Sequence, residues 1–219
     1  MRKMDVASPG TLVLLHGLGR TARSMHRLAV EGSRRGYQVR NIGYPSRRAG
    51  VLVHAERVGL ALAALPDGKP LYAVTHSMGG IVLRAALAGG WLAPERVGRV
   101  VMLAPPNAGT EMADWLCRMP LLRHVLGPAT LELRTGPAGI LAMLPPVPFE
   151  LGVIAGAMRR RSLSASLFDG PNDGKVSVAR ARVEGMRDFL VVGRGHTSIM
   201  NAPDVIDQTF HFLAHGAFE

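Results

Sequence analysis

Short strand-like runs, spaced by segments of helical period, constrain this chain more than any other feature. Thr11 to Leu15 (TLVLL) is wholly apolar, and Gln38 to Ile42, Leu71 to Val74 and Arg99 to Leu103 (RVVML) follow it as further strands. Between them, Ser24 to Arg35 gathers Met25, Leu28 and Ala29 on one side. Val51 to Leu65 repeats apolar residues at Val51, Ala55, Val58, Leu62 and Leu65, and Gly80 to Ala88 reads as the next helix. A strand that is apolar on both sides cannot present one face to water, so the sheet must be covered by helices on both faces. Strands joined by helical crossovers run parallel, and the crossovers are right-handed. The fold class is therefore α/β, with a mostly parallel central sheet. Later strands are expected at Glu150 to Ala155 and Phe189 to Val192. A last helix, punctuated by Asn201 and Pro203, carries Val205, Ile206, Phe210 and Leu213.

The 219 residues fit one domain spanning 1–219. Such a chain buries roughly 70% of its unfolded surface, enough for a core without staples. Only Pro105 to Phe149 breaks the rhythm, being rich in proline and glycine with apolar clusters such as Met119-Pro120-Leu121-Leu122. An insertion after a strand's C-terminal end lies over the crevice where open α/β sheets bind ligands. This one is expected as a small cap or pocket wall, or as a helical excursion packed on the sheet edge.

Composition excludes several classes. The net charge is +10, but the arginines are scattered, the longest run is Arg159-Arg160-Arg161, and aromatics are only 5%, so no nucleic-acid partner is expected. No apolar run reaches the ~18 residues of a membrane span. The single cysteine, Cys117, rules out an intrachain disulfide. Asp5, Ser8, Pro9 and Gly10 interrupt any signal-peptide core at the N-terminus, which together with the lone cysteine points to a cytoplasmic setting.

The chemistry gathers at "VTHSMGG". Ser77 follows a strand and precedes a helix, and Gly79 and Gly80 permit a tight turn with close helix–strand approach. Such an elbow lifts a hydroxyl clear of the sheet beside a helix N-terminus. A serine needs a base. Of the eight histidines, His196 alone sits in a glycine-flanked loop, "VVGRGHTSIM", directly after a strand. His76 adjoins Ser77, but neighbouring side chains on such a turn diverge. His16 more naturally shapes the loop after the first strand. His211 and His215 share a helix face four residues apart without an evident third metal ligand. The acid should precede His196 in "FDGPNDGKVSV": Asp173, in an Asn-Asp-Gly turn, is the first choice and Asp169 the second. Two backbone donors are needed for an oxyanion. These are the N–H of Met78, after the nucleophile, and that of Leu18, in the His16-Gly17 loop after the first strand. Losing one such donor costs on the order of 3 kcal/mol in the transition state.

With "VLLHGLGRT" (13–21), "THSMGGIVLR" (75–84), "PNDGKVSV" (171–178) and "GRGHTSIM" (193–200) in this order, the chain resembles the α/β-hydrolases, specifically small lipase- and esterase-like members. "VVMLAPPNAGT" (100–110) is similar to the lipase segment that follows the nucleophile's helix and next strand. The resemblance implies a serine carboxyl-ester hydrolase with no cofactor and no metal, acting on a small-molecule ester or lipid. The family's G-x-S-x-G pattern departs here at Thr75; small bacterial lipases similarly carry alanine there, and threonine reads as a bulkier packing variant with a hydroxyl free to bond a nearby loop. Two other readings compete. "GLGRTA" (17–22) fits a dinucleotide fingerprint, yet the next strand ends "VRNIGYPSRR" with no acid for a ribose, leaving only Arg40 or Arg47 for the 2′-phosphate of NADP. A catalytically silent hydrolase fold that binds a ligand or partner is the other. In the enzyme reading, Leu121, Leu122, Leu141, Met143 and Leu144 are candidates to face an acyl chain. His196 must be neutral to act as the base.

Overall fold

The computed structural model describes residues 9–66, 68–119, 127–137, 139–158, 167–168 and 170–219. Its centre is a six-stranded, all-parallel sheet. The strands are β1 (Thr11–Leu15), β2 (Gln38–Ile42), β3 (Leu71–His76), β4 (Val97–Leu103), β5 (Leu151–Gly156) and β6 (Met186–Val192). Their spatial order is β2-β1-β3-β4-β5-β6. The chain leaves β1 towards one edge and then returns to lay β3 on its other side. The C-terminal ends of β1 and β3 therefore flank the point where winding reverses, the place such sheets reserve for ligands. Register pairs Leu15 with Thr75 and His76 with Leu103, so the loops after β1 and β3 emerge side by side.

Each strand divides its side chains between two cores, as a period of two requires. Val13 and Leu15 of β1, Val100 and Met102 of β4, and Val153 and Ala155 of β5 face one layer. That layer is closed by α2 (Val51–Ala63) and α3 (Met78–Ala88). Leu12 and Leu14, Val101 and Leu103, and Ile154 face the other, with α1 (His26–Arg34) and the C-terminal helix Pro203–His215, which supplies Val205, Phe210, Phe212 and Leu213. Central β5 is buried along its whole length, whereas edge strand β2 is partly exposed.

The expected elements form, with shifted ends. The helix expected over 24–35 is a 3-10 turn, Ala22–Met25, running into α1. The helix expected from Gly80 begins at Met78, because Ser77 makes the whole turn itself. β6 starts three residues before Phe189, since an edge strand can carry polar Arg187 and Asp188.

Among the described residues between β4 and β5 are two short helices, α4 (Glu111–Cys117) and α5 (Pro128–Glu132), and a 3-10 turn, Ile140–Met143. Thr110 caps α4 by accepting from the Met112 N–H at 3.2 Å. Arg84, buried on α3, donates to Asn107 Oδ1 at 3.2 Å and to the Pro145 carbonyl at 3.2 Å. Asp114 accepts from the N–H and hydroxyl of Thr135 at 2.9 and 2.8 Å. Ala113, Ala129, Leu133 and Ile140 join the α2–α3 core. The segment thus packs on the fold as well as over the crevice. Among the described residues no helix is long and apolar enough to cross a membrane.

Candidate active site

Ser77 stands between β3 and α3 with φ 53 and ψ −126, a left-handed conformation for a residue with a Cβ. Such a conformation costs on the order of 1–3 kcal/mol and persists only where its surroundings hold it. Here the Ser77 N–H donates to the Leu103 carbonyl at 2.9 Å, and its own carbonyl accepts from Gly80 N–H at 3.1 Å. The glycines answer to close approaches. A Cβ on Gly79 would lie 2.5 Å from the Leu15 carbonyl oxygen, and one on Gly80 2.9 Å from Met102 Sδ. Helix α3 can therefore begin directly against the ends of β1 and β4.

The structure brings Ser77, His196 and Asp173 into one chain of hydrogen bonds. His196 Nε2 lies 3.0 Å from Ser77 Oγ, and His196 Nδ1 lies 2.8 Å from Asp173 Oδ2. All three residues are buried. The other oxygen, Asp173 Oδ1, accepts from the N–H groups of Lys175 and Val176 at 2.9 and 2.8 Å. Asp173's carbonyl accepts the His196 N–H at 2.9 Å, tying the two loops by backbone as well. Asp169 lies outside the described residues.

The loop after β1 presses on Ser77. A Cβ on Gly17 would fall 2.9 Å from Ser77 Cβ and 3.0 Å from His76 Nδ1. The N–H groups that follow are occupied: Gly19 donates to Ser46 Oγ at 3.0 Å and Arg20 to the Gly17 carbonyl at 3.2 Å. Just before them, the Leu18 N–H has no acceptor among the described residues. Met78 opens α3, where first-turn N–H groups lack partners within the helix. His16 holds this loop from behind. Its Nδ1 bonds the Gly17 carbonyl at 2.9 Å, its Nε2 accepts from the Tyr44 N–H at 3.3 Å, and its ring stacks on Tyr44 at 4.3 Å. Burial lowers the His16 pKa and keeps the ring neutral.

His76 turns its Nε2 away from Ser77, in a contact that the sequence does not reveal. Its Nε2 bonds the His196 carbonyl at 2.9 Å, and its ring lies 4.9 Å from that of His196. Burial, then the neighbouring His196, holds its pKa well below the ordinary histidine value. No sequence signal separates this role from that of any histidine before a nucleophile. Thr75 is fully buried, and its hydroxyl, expected to bond a loop, has no partner among the described residues. It faces Gly80 instead, whose Cβ would sit 3.1 Å away.

A cavity of about 400 Å³ opens over Ser77 and His196. Met112, Ala113 and Leu116 of α4 and Leu133, at the end of α5, supply apolar lining, and Arg20, Arg47 and Lys175 also line it. This corrects the choice of acyl-facing residues. Leu141 and Leu144 pack on the α2–α3 core, and Met143 is 78% exposed. None of the three lines the cavity, whose apolar wall from the insertion comes from α4 and from Leu133 beside α5. Leu121 and Leu122 lie outside the described residues. The rings of His211 and His215 lie 4.4 Å apart, tilted at 43°, with His211 paired to Glu219, and no metal-holding group of His, Cys, Asp or Glu occurs among the described residues.

Comparison with solved structures finds the same fold in enzymes. The mature lipase BlEst2 of Bacillus licheniformis superposes with a TM-score of 0.75 at 22% identity, covering 97% of this chain and 93% of that one. A metagenomic carboxyl esterase gives 0.71 at 21% identity, over 88% of this chain and 66% of its own. YbtT, a type II thioesterase of a yersiniabactin pathway, gives 0.63 at 16% identity, over 100% and 98%. Among curated protein sequences none matches significantly. The model of the alpha/beta hydrolase family matches residues 12–214. With nearly its whole length matched and the parallel sheet and elbow in place, the chain belongs to the alpha/beta hydrolase family.

Proposed function

We propose that this protein is a serine carboxyl-ester hydrolase. One observation carries the reading: the continuous hydrogen-bond chain from Ser77 Oγ through His196 to Asp173, at 3.0 and 2.8 Å, opening into an apolar-lined cavity. In this reading Ser77 attacks the ester carbonyl while His196 Nε2 takes its proton. Asp173, held by two backbone N–H groups, fixes the Nδ1–H tautomer and stabilises the imidazolium. The Leu18 and Met78 N–H groups receive the oxyanion; the unclaimed Leu18 donor, next to the Gly19 N–H that Ser46 Oγ already holds, supports that role. His196 returns the proton to the departing alcohol, and water then releases the acyl group by the same steps. The acyl part lies against Met112, Ala113, Leu116 and Leu133. The intact Ser77–His196–Asp173 chain favours an active enzyme over a silent binding protein. Gly17, pressed on Ser77, gives the "GLGRTA" loop a role in this site that owes nothing to a dinucleotide.

The test is a panel of p-nitrophenyl esters from acetate to palmitate. The wild type turns over at least one chain length, and Ser77→Ala lowers that rate to the level of the uncatalysed reaction. Undiminished hydrolysis by the folded Ser77→Ala protein refutes the assignment.

A further inference from the structure

Most arginines whose side chains are tied down on the surface answer a carboxylate. Arg35 pairs with Glu31, Arg99 and Arg187 with Glu150, Arg180 with Glu111 and Arg194 with Asp204. The three cations at the cavity differ. Arg20, Arg47 and Lys175 come from three separate loops, after β1, after β2 and before the short helix Val178–Ala181, and all line the space over Ser77. None forms an ion pair with a carboxylate among the described residues. None of the residues that line the cavity is acidic. Asp173, whose charge acts on Lys175, is already taken by His196 Nδ1 and two N–H groups, and Glu132, near the Arg47 loop, accepts from the Val51 N–H.

Their placement is specific. The Arg47 guanidinium lies over Gly19, where a Cβ would meet its Nη2 at 2.9 Å, one residue from the Leu18 N–H. Arg20 reaches the Thr197 carbonyl at 3.5 Å, one residue from His196. Lys175 follows Asp173 by two residues; burial first, then Arg20 and Arg47, disfavour its protonated form, against the pull of Asp173. Like charges held this close to one another, in a partly desolvated cavity, are an unfavourable arrangement for the free protein and a favourable one for a bound anion. The apolar lining from α4 and α5 suits a hydrocarbon chain, which leaves the charge to the other half of the substrate.

We infer that the substrate is an acyl ester whose alcohol part carries a phosphate, with the phosphate held by Arg20, Arg47 and Lys175 and the acyl chain by Met112, Leu116 and Leu133. Planar guanidinium groups match phosphate oxygens in pairs, and a lysine adds a point charge. The inference rests on the ester-hydrolase reading.

The test compares three decanoyl esters at low salt: of glycerol, of glycerol 3-phosphate and of glyceric acid. The phosphate ester is expected to exceed the neutral one in kcat/KM by at least tenfold and the carboxylate ester by a smaller factor. The advantage should shrink as salt rises. In Arg47→Gln/Lys175→Gln the ratio of phosphate to neutral ester falls towards one. Equal kcat/KM for the phosphate and neutral esters overturns the inference and leaves the esterase reading standing; so does a carboxylate ester that equals the phosphate ester. If no ester turns over, the esterase reading fails, and the anion site is judged alone by calorimetry with decyl phosphate and decanol. Binding of decyl phosphate, weakened at least tenfold in the double variant, supports the site. Equal affinity for decanol, or no binding, refutes it.

Discussion

The cavity has two sides, built by opposite means. On the sheet side backbone bonds do much of the fixing: Ser77 sits between two main-chain bonds, Asp173 accepts from two N–H donors, and His196 donates its N–H to the Asp173 carbonyl. On the insertion side, α4 and α5 are a few residues long and are moored by side chains, Arg84 to Asn107 and Pro145, Asp114 to Thr135. The difference teaches where chemistry and selectivity are separable. In the proposed reaction the groups that must hold to a fraction of an ångström come from the loops of the sheet, whereas the wall proposed to meet the acyl part hangs from contacts that single substitutions can remove.

Perturbing the sheet side should cost most. Asp173→Asn keeps an oxygen for the Lys175 and Val176 N–H groups but leaves His196 without its acceptor. A fall in kcat of roughly 10⁴-fold is expected, the size met when a triad acid is replaced elsewhere; a rate within tenfold of wild type would point to Asp169 as the acid. Gly17→Ala places a methyl 2.9 Å from Ser77 Cβ, so the loop must move away. Stopped assays should read a loss of about 10²–10³ in kcat, as for a missing oxyanion donor, with KM little changed. A KM effect alone would detach this loop from oxyanion binding.

The insertion side should answer in stability. Burial lowers the Arg84 pKa to about 10, yet leaves it charged at neutral pH. Arg84→Leu strands the carbonyls of Asn107 and Pro145, and urea unfolding should show a loss of about 2–3 kcal/mol. No loss would mean that the insertion is held by its apolar contacts alone. The smallest effect concerns pH. His76 is neutral in the fold, below the ordinary histidine range, while the unfolded chain protonates near pH 6.5. Below that pH the unfolded state binds more protons, so stability falls as pH falls. Between pH 7.5 and 5 the unfolding free energy should drop by about 2 kcal/mol on this account, and less in His76→Asn. A flat profile contradicts it.

The sheet side was also the legible one. An apolar strand stopping at Thr75-His76-Ser77-Met78-Gly79-Gly80 carries its own geometry, because glycine spacing and the switch of period from strand to helix are local. Asp173 and His196 were legible by order and by the glycines beside them. What the sequence hid depends on contacts between distant segments. Nothing local tells that His76 bonds the His196 carbonyl, or that Arg84 reaches across to Pro145. Nor could short apolar runs in the insertion disclose their facing: Leu116 and Leu133 line the cavity, while Leu141 and Leu144 pack on the core. Periodicity needs several turns to declare a face, and α4 and α5 are too short to supply them.

The central claim is that Ser77 is a nucleophile activated by His196. Incubation of the folded protein with a fluorophosphonate probe, followed by peptide mass spectrometry, reads this directly. The account predicts a single adduct on the peptide that contains Ser77, formed rapidly in the wild type and at least a hundredfold more slowly in His196→Ala. Labelling at another serine, or equal labelling of Ser77 without His196, would contradict it.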